Sequence, residues 1–329
     1  MMKILILTLK ERVERFYDLA SLPASYSLMF AGDETDPSRL LSLGEDADVI
    51  FADAIRPVPR ELIEKMPHLK LIHSEGVGYD KIDCAAARER GVFVCNNAAA
   101  NSQAVAEQAV LLMLACLRRT VEGDRMVRVG RQMEAKSTWS LEGIRELWSC
   151  RVGLIGLGAI GRETAKRLRS FDCPVCYYSR TRRLAEENAL GVTYAPLPQL
   201  LSQCDIVSLH LPSAPDTFQF MSRENFRQMK PGSILINTSR GELMDDSALI
   251  AALRSGRLAG AGLDTLAPEP VCPEHPLLQL EEPYASRIVF SPHIGGVTVQ
   301  AFRSMHRSVW ENIRRIEQDM RPLHIVNGL

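Results

Sequence analysis

Apolar positions along the chain fall into short blocks separated by longer stretches of helical periodicity. Lys3–Leu7, Val49–Ala52, Leu69–His73 and Gly91–Cys95 are blocks of the buried-strand kind, with Ile82–Arg90 reading as a helix between the last two. A second series comprises Val152–Ile155, Val175–Tyr178, Ile206–Leu209, Ser233–Asn237, Leu258–Leu263 and Ile288–Phe290. Helical segments at Arg162–Ser170, Leu184–Asn188, Leu197–Cys204 and Asp245–Ser255 lie between them. Two longer helices are expected at about Ser102–Arg128 and Val299–Asp319. Alternating strands and helices predict an α/β protein with parallel sheets, and the six-strand second series predicts a doubly wound nucleotide-binding domain.

The length, 329 residues, suits two domains. With 39 basic and 40 acidic side chains the net charge is -1, which argues against nucleic acid as a partner. Met1–Leu9 runs straight into Lys10, Glu11 and Arg12, so it reads as a first strand rather than a leader. The longest apolar stretch, Ala109–Leu117, has about half the length that a bilayer span needs. The expectation is a cytoplasmic enzyme with no membrane partner and with reduced thiols at its eight cysteines. Cys173 and Cys176 have redox-motif spacing, but they fall in a strand-like run, which speaks against that role.

Val152–Ile155 leads directly into Gly156, Leu157, Gly158, Ala159, Ile160 and Gly161, and a helical stretch follows. In a dinucleotide site Gly156 makes the tight turn, Gly158 admits the pyrophosphate, and Gly161 lets helix and strand pack closely. Amides at the helix start, including those of Ala159 and Ile160, then face the phosphates. About 20 residues on, an NAD-type fold carries an acid for the ribose hydroxyls. This chain has Ser179, Arg180, Thr181 and Arg182 instead, with no carboxylate before Glu186. Hydroxyls and guanidiniums suit a 2′-phosphate, so NADP is expected over NAD; an ordinary solvated basic turn is the alternative.

Three later strand ends carry candidate chemistry. Ile234–Asn237 runs into Thr238, Ser239 and Arg240; Asp264 is followed by Glu269 between two prolines; His293 follows Ser291 and Pro292. Ligands of open α/β sheets bind beyond the carboxyl ends of the strands, so these residues can share one cleft.

Together with Gly76, Val77, Gly78, Tyr79 and Asp80, and with Val105, Ala106 and Glu107, these motifs resemble the D-isomer-specific 2-hydroxyacid dehydrogenases, in particular glyoxylate/hydroxypyruvate reductases. The resemblance covers almost the whole chain. It implies two Rossmann-like domains, with the nucleotide domain (100–296) inserted into a smaller flavodoxin-like substrate domain (1–99 and 297–329). It also implies a cleft at the hinge, and a homodimer joined through the long helix and the arm around Arg131–Cys150. In such an enzyme Arg240 grips the substrate carboxylate and polarises the adjacent carbonyl. His293 gives the proton to the developing alkoxide, and Glu269 bonds the other imidazole nitrogen. The Val77 and Gly78 amides would share the carboxylate, Asp264 would bond the nicotinamide amide, and Thr238 would line the cofactor cleft. Glu269 stands where formate-oxidising relatives carry Gln. A nucleotide-sensing corepressor and a phosphite dehydrogenase remain as alternatives. Glu75 departs from the small or apolar residue expected before Gly76. It reads either as solvent-facing or as a pocket residue that turns away acidic tails and favours polar or cationic ones; Asp53 raises the same question.

Overall fold

The computed structural model describes residues 1–329, and the chain divides into two compact units, Met1–Asn101 with Gly296–Leu329, and Ser102–Gly295. In the first unit the strands are β1 (Met2–Leu7), β2 (Tyr26–Phe30), β3 (Val49–Ala52), β4 (Leu71–Ser74) and β5 (Phe93–Cys95). They form a parallel sheet in the order β2-β1-β3-β4-β5, the flavodoxin-like arrangement. The helices are α1 (Lys10–Phe16), α2 (Pro37–Gly44), α3 (Arg60–Lys65) and α4 (Cys84–Glu89).

The second unit holds α5 (Ser102–Leu117), α6 (Thr120–Arg128), α7 (Gln132–Glu142), α8 (Ala159–Arg169), α9 (Leu184–Leu190), α10 (Leu197–Gln203), α11 (Arg223–Gln228) and α12 (Asp246–Arg254). Its strands are β6 (Val152–Ile155), β7 (Val175–Tyr178), β8 (Thr193–Tyr194), β9 (Ile206–Leu209), β10 (Ser233–Asn237), β11 (Leu258–Leu263) and β12 (Ile288–Phe290). The order β12-β11-β10-β9-β6-β7-β8 is the doubly wound pattern, with its reversal between β6 and β9. The chain then returns to the first unit as α13 (Val299–Glu317).

Burial on both faces explains the uninterrupted apolar strands. Along β1, Ile4 and Ile6 pack with Val309, Trp310 and Ile313 of α13, while Leu5 and Leu7 pack with Leu40 of α2 and Leu62 and Ile63 of α3. The alternation follows from the two-residue period of a strand. Each aliphatic side chain buried in this way contributes about 1.5–3 kcal/mol.

Three features depart from the sequence reading. β2 and β8 are additional strands, both at sheet edges, and every residue of β2 is only half-buried. The helix expected over Ser102–Arg128 is two helices. The break is at Arg119, which takes the left-handed conformation (φ 51°) and pairs with Glu122 and Glu142 while its guanidinium lies over Trp139. The helix beginning at Val299 ends at Glu317. Of the two cysteines with redox spacing, Cys173 bonds the Leu147 carbonyl, whereas Cys176 lies 3.2 Å from the Sγ of Cys204. All eight thiols are free.

Candidate active site

β6 ends at the reversal of strand order, and the turn after it is dictated by glycine. Gly156 has φ 100°, and a Cβ there would lie 2.3 Å from the His210 carbonyl oxygen. A Cβ on Gly161 would lie 2.3 Å from the Gly156 carbonyl oxygen, so α8 packs against the turn at backbone distance. Gly158 differs: a Cβ there meets nothing within 4 Å. It is the N-cap of the 11-residue α8 and offers no side-chain cap, so the amides of the half-buried Ala159 and Ile160 are left without a cap at the positive end of the helix. The buried Thr238 hydroxyl, just past β10, has no partner in the chain. An uncapped helix start, an open approach at Gly158 and an orphaned hydroxyl at a strand end fit a dinucleotide.

Past β7, the Ser179 hydroxyl donates to the Thr181 carbonyl (2.7 Å). Arg180 is 84% exposed and pairs with Asp216 at 2.9 Å. Arg182 is turned away from the strand end and donates through Nε and Nη2 to Glu187 (2.8 and 2.9 Å), which also accepts from Tyr177. Glu186 reaches Arg162. One guanidinium, that of Arg180, is therefore presented beyond the strand. His210 follows β9, bonded to Ser208 (3.0 Å), and burial pushes its pKa down to about 4, which keeps the ring neutral beside Gly156.

Arg240, Glu269 and His293 follow β10, β11 and β12, which are neighbours in the sheet. Local bonds set each loop. Asn237 donates to the Arg240 carbonyl (2.8 Å) and accepts from the Ser239 amide (3.0 Å). Gly241 passes so close to the next loop that a Cβ would lie 2.3 Å from the carbonyl carbon of Leu266. Buried His275 bonds the Ala267 carbonyl (3.0 Å) and pairs with Asp246 at 3.2 Å, tying the Glu269 loop to α12. Asp264 is buried and accepts from the Ser291 hydroxyl, the Ile294 amide (3.0 Å) and the Gly295 amide (2.8 Å); its carbonyl accepts from the His293 amide. These bonds hold His293 at φ 54°. Its Nδ1 lies 2.8 and 2.9 Å from the two oxygens of Glu269. Because the carboxylate accepts, Nδ1 carries the hydrogen, and Nε2 is left as the nitrogen that can hold and release a proton.

In the other unit, the loop after β4 is held at both ends. Ser74 Oγ donates to the Gly78 carbonyl (2.5 Å), and Asn96 and Asn97 donate to the Val77 and Glu75 carbonyls (both 2.7 Å). The half-exposed Val77 and Gly78 amides donate to no group of the chain. Glu75 is not solvent-facing. It is 3% exposed, with Oε1 2.8 Å from His306 Nε2 and Oε2 2.6 Å from Arg12 Nη1. The same Arg12 nitrogen donates to Asp53 (2.8 Å). Burial works against the Arg12 charge, but Glu75 and Asp53 outweigh it and raise its pKa. Arg12 and His306 went unnoticed in the sequence, as did His275. Only the position of Arg12, five residues past a strand end, offered a signal.

Residues 110–295 match the model of the D-isomer specific 2-hydroxyacid dehydrogenase NAD binding domain. The chain is 35% identical over 311 residues to a glyoxylate reductase of Korarchaeum cryptofilum, covering 94% of this chain and 92% of that protein. It is 36% identical over 312 residues to a glyoxylate reductase of Thermococcus litoralis, covering 92% and 91%. Among solved structures, it resembles an NADPH-dependent glyoxylate/hydroxypyruvate reductase from Sinorhizobium meliloti in complex with NADP and malonate. That match has 29% identity and a TM-score of 0.83 over 99% of this chain and 96% of the other. With two parallel-sheet Rossmann-like domains and this similarity along nearly its whole length, the chain belongs to the D-isomer specific 2-hydroxyacid dehydrogenase family, as an NAD(P)-dependent oxidoreductase.

Proposed function

We propose that this enzyme prefers NADPH and reduces a small 2-keto acid of the glyoxylate or hydroxypyruvate kind to the D-2-hydroxy acid. The observation that carries the reading is the His293–Glu269 pair, held by buried Asp264 and leaving Nε2 to deliver a proton. When bound, reduced nicotinamide supplies the hydride. Arg240 holds the substrate carboxylate through a fork of N–H donors and polarises the carbonyl to be reduced. His293 protonates the developing alkoxide from Nε2, and Glu269 fixes the ring and stabilises the imidazolium. Val77 and Gly78 offer unpaired amides suited to a carboxylate oxygen. Gly156, Gly158, Ala159, Ile160 and Gly161 bind the pyrophosphate, Thr238 lines the cofactor cleft, and Asp264 bonds the carboxamide as well as the His293 loop.

Exposed Arg180, flanked by Ser179 and Thr181 with no acid at the strand end, supports the NADPH preference. Asp216 must release Arg180 for it to grip a phosphate. The Sinorhizobium relative, an NADPH-dependent glyoxylate/hydroxypyruvate reductase, supports the same cofactor and substrate. Initial rates with NADPH and NADH against glyoxylate, hydroxypyruvate, pyruvate and bulkier 2-keto acids test the reading. Cofactor binding without turnover of any of them would refute it.

The enzyme is further proposed to be a cytoplasmic homodimer. Eight free thiols suit a reducing compartment. Exposed Val121, Val127, Val129, Met133, Leu141 and Trp148 form an apolar run along α6, α7 and the segment after them, which suits a subunit interface. Light scattering on the wild type and on Leu141→Asp tests it; a wild-type monomer would refute the dimer.

A further inference from the structure

The first unit carries a buried charged group that the proposed chemistry does not use. β1, β3 and β4 lie side by side, and the first residue beyond each is polar: Thr8, Asp53 and Glu75. Arg12, from α1, enters this row of strand ends and spends a single nitrogen, Nη1, on both carboxylates. Its guanidinium lies over the Phe302 ring (5.4 Å to the centroid), and Phe302 stacks on Phe16 at 4.9 Å. Nε and Nη2 of Arg12 donate to nothing in the chain, and its side chain keeps 27% of its surface exposed. Glu75 is saturated by Arg12, His306 and the Thr8 hydroxyl (3.4 Å), so it faces no ligand itself. Gly76 packs against Ala54 so closely that a Cβ would lie 2.7 Å away, which joins the Asp53 loop to the Val77–Gly78 loop.

The Gly76–Ala54 contact sets the Asp53 loop beside the Val77–Gly78 loop, to which the proposed reaction assigns the substrate carboxylate. We infer that Arg12 and Asp53 form the specificity site for the substrate tail, and that they select a tail bearing a hydroxyl group. The inference rests on the proposed 2-keto acid reduction. Arg12 offers Nε and Nη2 as donors; beside them Asp53 accepts the Ile55 amide on Oδ1 (3.2 Å) and Arg12 Nη1 on Oδ2, which leaves each oxygen a second lone pair, and a hydroxyl group uses a donor and an acceptor together. A carboxylate tail would be a third anion beside Asp53 and Glu75, and an ammonium tail would meet Arg12. An apolar tail would leave polar groups facing it without partners, the kind of mismatch that discriminates strongly. Glu75 and His306 act as positioning residues that fix Arg12.

The test compares kcat/KM for hydroxypyruvate, pyruvate and oxaloacetate, which differ only at the group on C3, with glyoxylate, which has no tail, run in parallel. The wild type is expected to favour hydroxypyruvate over pyruvate and over oxaloacetate by about 10- to 100-fold. Arg12→Met keeps the bulk of the stem and should bring the hydroxypyruvate-to-pyruvate ratio to within about threefold of one. The double variant Arg12→Met/Glu75→Gln removes the charge that Arg12 leaves behind, and it should show the same lost ratio if the single variant does not fold. Turnover of glyoxylate with equal rates on pyruvate and hydroxypyruvate would overturn this inference alone. So would an unchanged ratio in a folded variant. Turnover of none of the four acids would overturn the proposed reaction and this inference with it.

Discussion

Gly158 and Gly156 stand two residues apart in one turn, yet alanine should act on them in opposite ways. At Gly158 the new methyl enters open space at φ -75°, so nothing in the protein resists it. Replacing glycine by alanine at an N-cap costs under about 1 kcal/mol, a melting shift of about 4 °C or less for a unit of this size. On the proposed assignment, the same methyl stands where the pyrophosphate comes within bonding distance of the Ala159 and Ile160 amides. Losing one hydrogen bond to a charged phosphate, about 1.5–3 kcal/mol, raises the NADPH dissociation constant about 10- to 150-fold. At Gly156 the methyl lies 2.3 Å from the His210 carbonyl oxygen and φ is 100°. Backbone strain of about 1–3 kcal/mol and overpacking of about 1–3 kcal/mol add to roughly 2–6 kcal/mol, and the protein should melt about 5–20 °C lower. Nicotinamide fluorescence titration and thermal unfolding read the two effects separately. A Gly158→Ala protein with wild-type melting and wild-type NADPH affinity would refute the assignment of this turn to the pyrophosphate.

His293→Ala should lower kcat by orders of magnitude while NADPH still binds; near-normal turnover would end the proton-donor role. Arg240→Lys should cut keto-acid kcat/KM strongly, because a point charge cannot replace the fork, and an unchanged value would remove Arg240 from the carboxylate site. Arg180→Ala should reduce the ratio of NADPH to NADH efficiency; an unaltered ratio would detach Arg180 from the 2′-phosphate. Burial alone would raise the pKa of Asp205, but bonds from Lys230, the Arg151 amide and Arg145 outweigh it and hold the carboxyl below its ordinary value. Its stabilisation is therefore present above the unfolded value near pH 3.9 and is lost as pH falls below it. Unfolding curves of Asp205→Asn should lie below wild type at pH 7 and approach it near pH 3.

Period and punctuation made the nucleotide unit legible. Its six principal strands are short, mostly buried apolar runs followed by Gly156, Ser179, His210, Thr238, Asp264 and Ser291, and local sequence suffices to place such runs. β2 was less visible, because Tyr26–Phe30 lies at a sheet edge and is nowhere fully buried. The break at Arg119 depends on Glu142 and Trp139, more than a turn away and outside any periodicity. Glu75 shows the limit most clearly. Its partners stand 63 residues before it and 231 after it, so nothing adjacent indicates whether that carboxylate is solvated or sealed. Of its cluster only Glu75 and Asp53 drew notice, whereas Arg240, Glu269 and His293 each sit in a motif of their own.

The return of α13 to the first sheet sets the order in which a growing chain can fold. Ile4, Ile6, Val49 and Phe51 emerge early from the ribosome, but their partners Val309, Trp310 and Ile313 follow the whole of Ser102–Gly295. At about 5–20 residues per second, that face of the sheet stays uncovered for roughly 10–40 s. The nucleotide unit is continuous in sequence and closes its core within that interval. Nascent chains of this enzyme thus pass through a stage with one finished domain and one open apolar sheet face, which a holdase chaperone would bind and which the arrival of α13 would end.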